Sequence, residues 1–397
     1  MRSLLKLIYS ICLRGLLLPL RLFRIRNDRV TFTGLTGGST YEYSCNLKYI
    51  CEYLYHHIPG RFQLCWVVAE PEVYREREHR EIRFCRHYSL KSFYWLLTSR
   101  VVVTGGSYAP WFPFRKKQYL INTWHGGGAY KKIESAQTNI GWVQKKRIHF
   151  CAENISLFVS SCTKATQLLF REAFCYQGEV LEVGMPRNDR LVSMDTELYE
   201  KTVRERCGIG AEEKIVLYAP TYRNPSAQVT LDADRLLELL EQNGESWRFL
   251  YRPHRYQTEQ MRLHVHGKRV MDVRGYPDMQ ELLGAADLLI TDYSSAIWDY
   301  SFLFRPCFLY VPDLEEYLEK TGFYVDIHEW PFDLSFTQSE LEEQIRAYQP
   351  QRAREKIRKH HQYMGSCETG EACKYVAERI LDVCKEHSCN SEIMPIE

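Results

Sequence analysis

Two histidines follow short apolar runs, His125 in "QYLINTWHGGG" and His254 in "WRFLYRPH". Imidazole changes charge near neutral pH, so each could move a proton or balance charge on a reacting group. Other apolar runs also end in polar groups. Thr221 and Arg223 follow "KIVLYAP", Arg252 stands in the R-P-H block, and Asp292, Ser294 and Ser295 follow "LLIT". Gly126, Gly127 and Gly128 come straight after His125, with Lys131 close behind. Guanidinium forks suit phosphate oxygens, and a helix start offers free backbone donors to an anion. The spacing G-x-x-x-x-G-K-[ST] of a triphosphate-cradling loop does not occur. The set fits a diphosphate gripped from two sides.

Each group also has a plain structural reading. A histidine at a strand end can be a satisfied packing residue, an arginine a surface partner, and a triple glycine a turn before it is an anion nest. Asp292, Ser294 and Ser295, just before a helical run, are equally good N-cap residues. Their shared placement favours the phosphate reading, and it depends on the elements that carry them.

Those elements alternate. "RVTFTG" reads as a strand, a Gly-rich loop follows, and "SCNLKYICEYLYHH" has apolar positions at helical spacing. "FQLCWVVAE", "VVVTGG" and "QYLINT" read as strands in the first half, and "KIVLYAP", "WRFLY", "LLIT" and "PCFLYV" in the second. Strands alternating with helices predict βαβ units and parallel sheets, which bind ligands outside the carboxyl ends of their strands. All the groups above fall at such ends. At 397 residues the chain exceeds one ordinary core. The expected architecture is α/β, with two Rossmann-like domains facing a central cleft. The N-terminal one spans 27–187, the C-terminal one spans 188–345, and helices fill 346–397.

Residues 1–26 differ. Arg2, Lys6, Arg14, Arg21, Arg24 and Arg26 interrupt Leu, Ile and Phe with no acidic residue, and the longest uncharged run is too short to span a bilayer. An amphipathic helix lying in an anionic membrane surface is expected. Over the whole chain 52 basic residues balance 50 acidic ones, which excludes a global field for nucleic acid. The 14 cysteines are scattered, many in apolar runs and none in a metal-ligand spacing, as in a reduced compartment. Asp232 and Asp234 open the helical "LDADRLLELLEQ" and read as caps rather than metal ligands. No obligatory metal is expected, although Mg²⁺ can pair with a diphosphate.

The ordered blocks "TWHGGGAYKK", "GMPRNDRL", "YAPTYR", "YRPH", "LLITDYSSAIWDYSFLFRP" and "GFYVD" resemble the CDP-glycerol glycerophosphotransferase family of teichoic acid and capsule polyol-phosphate transferases. The resemblance spans about residues 30–345. It implies a GT-B fold, CDP-glycerol or CDP-ribitol as donor, and transfer of the polyol phosphate to a hydroxyl of a lipid-linked or polymeric acceptor, with CMP released. It also implies peripheral attachment at the cytoplasmic face of the membrane, and it is compatible with a homo-oligomer. Carried over by position, His125 becomes the general base and His254 a catalytic phosphate contact. Thr221, Arg223, Arg252, Asp292, Ser294 and Ser295 hold the donor; Gly126 to Gly128 and Lys131 form the acceptor-side loop. Asp292 is open between orienting a histidine or hydroxyl and capping the helix. The chain departs from the family at Gly127 and Gly128, where Thr-Pro is usual, and a single-function transferase is expected. The alternatives are a GT-B glycosyltransferase using a nucleotide sugar and a non-catalytic membrane-surface protein.

Overall fold

The computed structural model describes residues 12–34, 42–75, 81–106, 112–136, 141–222, 229–253, 263–264 and 269–385. Its first half is built on strands β1 (Arg26–Thr33), β2 (Gln63–Val68), β3 (Arg83–Arg86), β4 (Ser99–Thr104), β5 (Tyr119–Asn122), β6 (Leu157–Ser160) and β7 (Glu179–Glu182). They form one sheet in the order β3-β2-β1-β4-β5-β6-β7, with every pairing parallel. β4 is buried along its whole length, as the run "VVVT" requires of a strand covered on both faces.

The second half carries β8 (Lys214–Tyr218), β9 (Leu231–Asp232), β10 (Trp247–Tyr251), β11 (Leu263–His264), β12 (Val270–Asp272), β13 (Leu288–Thr291), β14 (Cys307–Tyr310) and β15 (Asp333–Ser335). Six of these form the sheet β12-β10-β8-β13-β14-β15, and β9 pairs only with β11. Numbering only the strands of each sheet, the first runs 3-2-1-4-5-6-7 and the second 3-2-1-4-5-6, the doubly wound order whose chain reversal opens a crevice at the strands' carboxyl ends. Those crevices lie between β1 and β4 and between β8 and β13.

Five helices matter for the site: α1 (Cys45–His57), α2 (Met279–Ala285), α3 (Ala296–Ser301), α4 (Pro350–Met364) and α5 (Ala372–Lys385). α5 turns Val376, Ala377 and Ile380 into the buried cluster of Val30, Phe32, Val101 and Val103, so this helix packs on the first sheet. A second apolar cluster is shared by both halves. It runs from Phe158 and Phe170 through Trp124 and Tyr130 to Trp298, Leu289 and Tyr300. Polar contacts reinforce it. Lys48 of α1 pairs with Asp278 at 2.6 Å, and Asp278 also N-caps α2 through the Gln280 amide.

Of the basic leader, residues 1–11 lie outside the described residues. The rest ends in a short 3-10 turn, Leu18–Leu22, which buries Leu17 and leaves Leu16, Leu18, Leu22 and Phe23 exposed beside Arg14, Arg21 and Arg24. No helix among the described residues is long and apolar enough to cross a membrane. Asp232 caps its helix by accepting from the Arg235 amide at 3.0 Å, as its spacing predicts. The described cysteines are all free.

Candidate active site

His125 stands just beyond the carboxyl end of β5, after a turn that the sequence must force. Trp124 takes φ +52°, a left-handed conformation that costs a bulky residue of order 1–3 kcal/mol unless its surroundings hold it. Here they do. The Trp124 amide donates to Asn122 Oδ1 at 2.8 Å, and its carbonyl accepts from Asn46 Nδ2 at 3.2 Å. Asn46 Oδ1 in turn accepts from the Arg187 amide at 3.2 Å.

The ring of His125 is oriented by one bond. Nδ1 lies 2.9 Å from the carbonyl oxygen of Gly105, at the end of β4. A carbonyl can only accept, so Nδ1 carries the proton and Nε2 presents a lone pair. The residue is exposed to solvent, yet protein packs around its ring. Desolvation is the first cause that pushes its pKa below the ordinary histidine value; the charges of Arg187 and Lys131 lower it further, against the Gly105 bond. A neutral imidazole with a free Nε2 has the form a general base needs. The acid limb of kcat/KM is therefore expected below the ordinary histidine pKa of about 6.5, because the base is lost only as pH falls through the lowered value. A pH profile of kcat/KM with the limb at or above that value would contradict the assignment.

Glycine is required at two of the three positions after His125, Gly127 and Gly128. A Cβ built on Gly127 would overlap Trp298 Cδ1 and lie 2.9 Å from Trp298 Cγ, and Trp298 is fully buried in α3. A Cβ on Gly126 would lie 3.7 Å from Ser295 Oγ. Gly128 has φ +66° and abuts Tyr130. The His125 loop thus rests directly on the start of α3, bringing the two halves' polar strand ends together. Gly127→Ala is expected to cost about 1–3 kcal/mol through overpacking, read as a lower urea midpoint at unchanged m.

Residues 130–132 then run against 322–324. Tyr130 O accepts from the Tyr324 amide at 2.8 Å, Gly322 O accepts from the Lys132 amide at 3.2 Å, and Lys131 bridges Phe323 with its ammonium 5.5 Å from the Tyr317 ring. The blocks "HGGGAYKK" and "GFYVD" are paired backbones.

On the other side, Asp292 follows β13 fully buried, and both its oxygens accept from the Thr221 amide, at 3.0 and 2.9 Å. It ties the loop after β8 across the β8–β13 crevice. The cap at α3 belongs to Ser294, whose Oγ accepts from the Ala296 amide at 3.2 Å; Ser295 makes no side-chain cap bond. Arg252 Nη1 donates to the Tyr276 carbonyl at 2.9 Å. Arg223 and His254 lie outside the described residues.

Behind these loops sits a polar cluster that sequence reasoning missed. Arg187 and Asp299 are both buried and form a forked pair, Nε to Oδ2 at 2.9 Å and Nη2 to Oδ1 at 3.1 Å. Asn188 and Gln280 also donate to Asp299, each at 2.9 Å. Burial opposes both charges, but donors converging on two oxygens require the carboxylate form, and that carboxylate lifts the Arg187 pKa. Arg187 Nη1 then donates to the His125 carbonyl at 2.7 Å. The block "GMPRNDRL" carried this signal, since a Pro-Arg-Asn run between strands is unusual for a mere connection, but nothing local showed its partner.

A cavity of about 840 Å³ lies elsewhere, between residues 328–336 and α4. It meets the His125 loop at Tyr130, through His360, which bonds the Tyr130 hydroxyl at 3.0 Å, and through Trp330, whose ring lies 4.6 Å from that of Tyr130. Its lysines are matched, Lys356 with Asp333 and Lys359 with Glu355. His125, Ser295 and Thr221 do not line it.

Two doubly wound parallel sheets, with His125 and hydroxyl-bearing loops beyond their strand ends, give a GT-B-like α/β fold. The chain belongs to the CDP-glycerol:poly(glycerophosphate) glycerophosphotransferase family, whose profile matches residues 17–382. It is 29% identical to a teichoic acid poly(glycerol phosphate) polymerase of Bacillus spizizenii over 96% of this chain and 98% of that one. It is also 29% identical to the Bacillus subtilis protein of the same description, over 81% of this chain but only 44% of that longer one. The solved structure of the wall teichoic acid polymerase TagF superposes with a TM-score of 0.82 over 96% of each chain at 24% identity, a likeness of fold.

Proposed function

We propose that the chain transfers glycerol phosphate or ribitol phosphate from a CDP-polyol to a hydroxyl of a lipid-linked or polymeric cell-wall or capsule acceptor, releasing CMP. The observation that carries this reading is the His125 tautomer, with Nδ1–H on Gly105 and Nε2 open, on a loop seated against the start of α3. Being exposed yet crowded by protein fits a concave setting, as in a cleft between the two sheets. There the acceptor oxygen attacks the β-phosphorus in line while His125 Nε2 takes its proton. The new O–P bond forms as the bond to the bridging oxygen breaks, and that electron pair leaves on CMP. Thr221, Ser294, Ser295 and Arg252, with Arg223 and His254 assigned from sequence, stabilise charge spread over the diphosphate. This electrostatic contribution dominates phosphoryl-type transfers. Asp292 acts indirectly by holding the Thr221 loop. Gly126 to Gly128 and Lys131 shape the acceptor side.

The reaction as drawn needs no resident metal, and Mg²⁺ can accompany the diphosphate. We place the enzyme at the cytoplasmic face of the membrane. The exposed Leu16, Leu18, Leu22 and Phe23 among arginines support an interfacial contact.

The test is a matrix of CDP-glycerol, CDP-ribitol and nucleotide sugars against polyol-phosphate and lipid-linked acceptors, with products read by mass spectrometry. Acceptor-dependent CMP release is expected. Release of a nucleoside diphosphate from a nucleotide sugar would instead make this a glycosyltransferase. Donor binding without turnover on any acceptor would make it a binding protein.

A further inference from the structure

We propose that Glu368, on the turn between α4 and α5, is a positioning residue for His125, acting through Trp298 and Asn188; this rests on His125 being the base. Glu368 lies beyond all six sequence blocks, in a segment expected to be only packing helices. Its carboxyl is nevertheless received by a fitted site. Oε1 accepts from Trp298 Nε1 at 2.7 Å and from Asn188 Nδ2 at 3.1 Å, and Oε2 accepts from the Met185 amide at 2.9 Å. Gly184 takes φ +98°, and a Cβ there would lie 2.6 Å from Glu368 Oε2 and 2.8 Å from its Cα. The block "GMPRND" is therefore shaped around a side chain that arrives from nearly two hundred residues away.

Two lines of contact lead from Glu368 to the histidine. Along the first, Asn188 spends one N–H on Glu368 and the other on Asp299 Oδ1. Asp299 clamps Arg187, and Arg187 holds the His125 carbonyl. Swapping the Asn188 amide would aim its oxygen at two carboxyl groups, so the donor orientation is fixed. Along the second, the indole that Glu368 anchors is the surface on which Gly127 rests, two residues past His125. Both lines end on the backbone of 125–127, the segment that sets where Nε2 points.

Keeping a carboxyl here is costly. Burial pushes the Glu368 pKa up to about 8, against its hydrogen bonds and with Asp299 adding to the rise. A side chain with no ionisable group would close the turn without that penalty, and such departures gather at functional sites.

The experiment compares Glu368→Ala and Glu368→Gln in the full chain by kcat, by calorimetric Kd for CDP-glycerol and CDP-ribitol, and by the His125 imidazole resonances. These resonances are assigned from their loss in His125→Ala. With the loop released, Glu368→Ala should lower kcat on the order of 10²-fold with donor Kd within about threefold, and the His125 resonances should move. Glu368→Gln keeps the oxygen that serves Trp298 and Asn188 but turns an N–H toward the Met185 amide, and should lose about fivefold, the weight of the one neutral bond it gives up. Wild-type kcat in folded Glu368→Ala, with unmoved His125 resonances and only a lower melting temperature, would reduce Glu368 to a structural contact. Should Glu368→Ala not fold, wild-type kcat and unmoved resonances in Glu368→Gln would overturn the proposal. If the wild-type protein turns over neither donor, the assigned reaction fails, and the His125 resonances still decide whether Glu368 positions the ring.

Discussion

His125→Ala is expected to lower kcat by about 10²–10⁴-fold, the usual worth of a positioned general base, while the Kd for the CDP-polyol changes little. The reason is geometric. Nδ1 is committed to the Gly105 carbonyl, so the ring's contribution is the Nε2 lone pair, and the proposed donor contacts come from the other half of the chain. His125→Gln gives a sharper control. Its amide could still bond Gly105 but cannot take the acceptor's proton, so it should be as slow as alanine. Pre-steady-state CMP release separates chemistry from product release. A variant at this position with near-normal turnover would remove the base from the mechanism.

Asp299→Ala is expected to cost about 3–5 kcal/mol of stability, because Arg187 would be left charged and buried without its partner. Asn188 and Gln280 would lose an acceptor as well. Urea unfolding reads the loss. Replacing both members, Arg187→Met with Asp299→Leu, should recover much of it, since a buried ion pair and a packed apolar pair differ little. The double-mutant cycle should return a coupling energy well above the few tenths of independent sites. Turnover should not recover with stability, since the bond from Arg187 to the His125 carbonyl is gone in the double variant. A double variant that regained both would show that the pair serves the fold alone.

Much of this was legible in the chain. Runs such as "VVVT" and "KIVLY" announce buried parallel strands, and the residues after them mark where chemistry collects. The first helix of the site shows the same: Leu47, Ile50, Cys51 and Leu54 of α1 are the buried face its spacing predicts. Asp292 was harder. A carboxylate before a helix has a ready local explanation in capping, and only the Thr221 amide, 71 residues away, shows what it holds. Trp124 gave no sign of its left-handed backbone, because the asparagines that stabilise it come from β5 and α1.

The sequence by itself determined the class of fold, the family and the ends of the strands that bear reactive groups. Hydrophobic period and ordered short blocks are properties of neighbouring residues and survive without coordinates. Tertiary structure decided which tautomer His125 adopts, why the loop must be glycine, and that Arg187, Asp299 and Glu368 belong to one cluster. Those facts depend on side chains 112 and 180 residues apart meeting where two sheets and the last turn of the chain converge. Such a meeting leaves no local period to read, because it is created only when the apolar faces on both sides have already been buried.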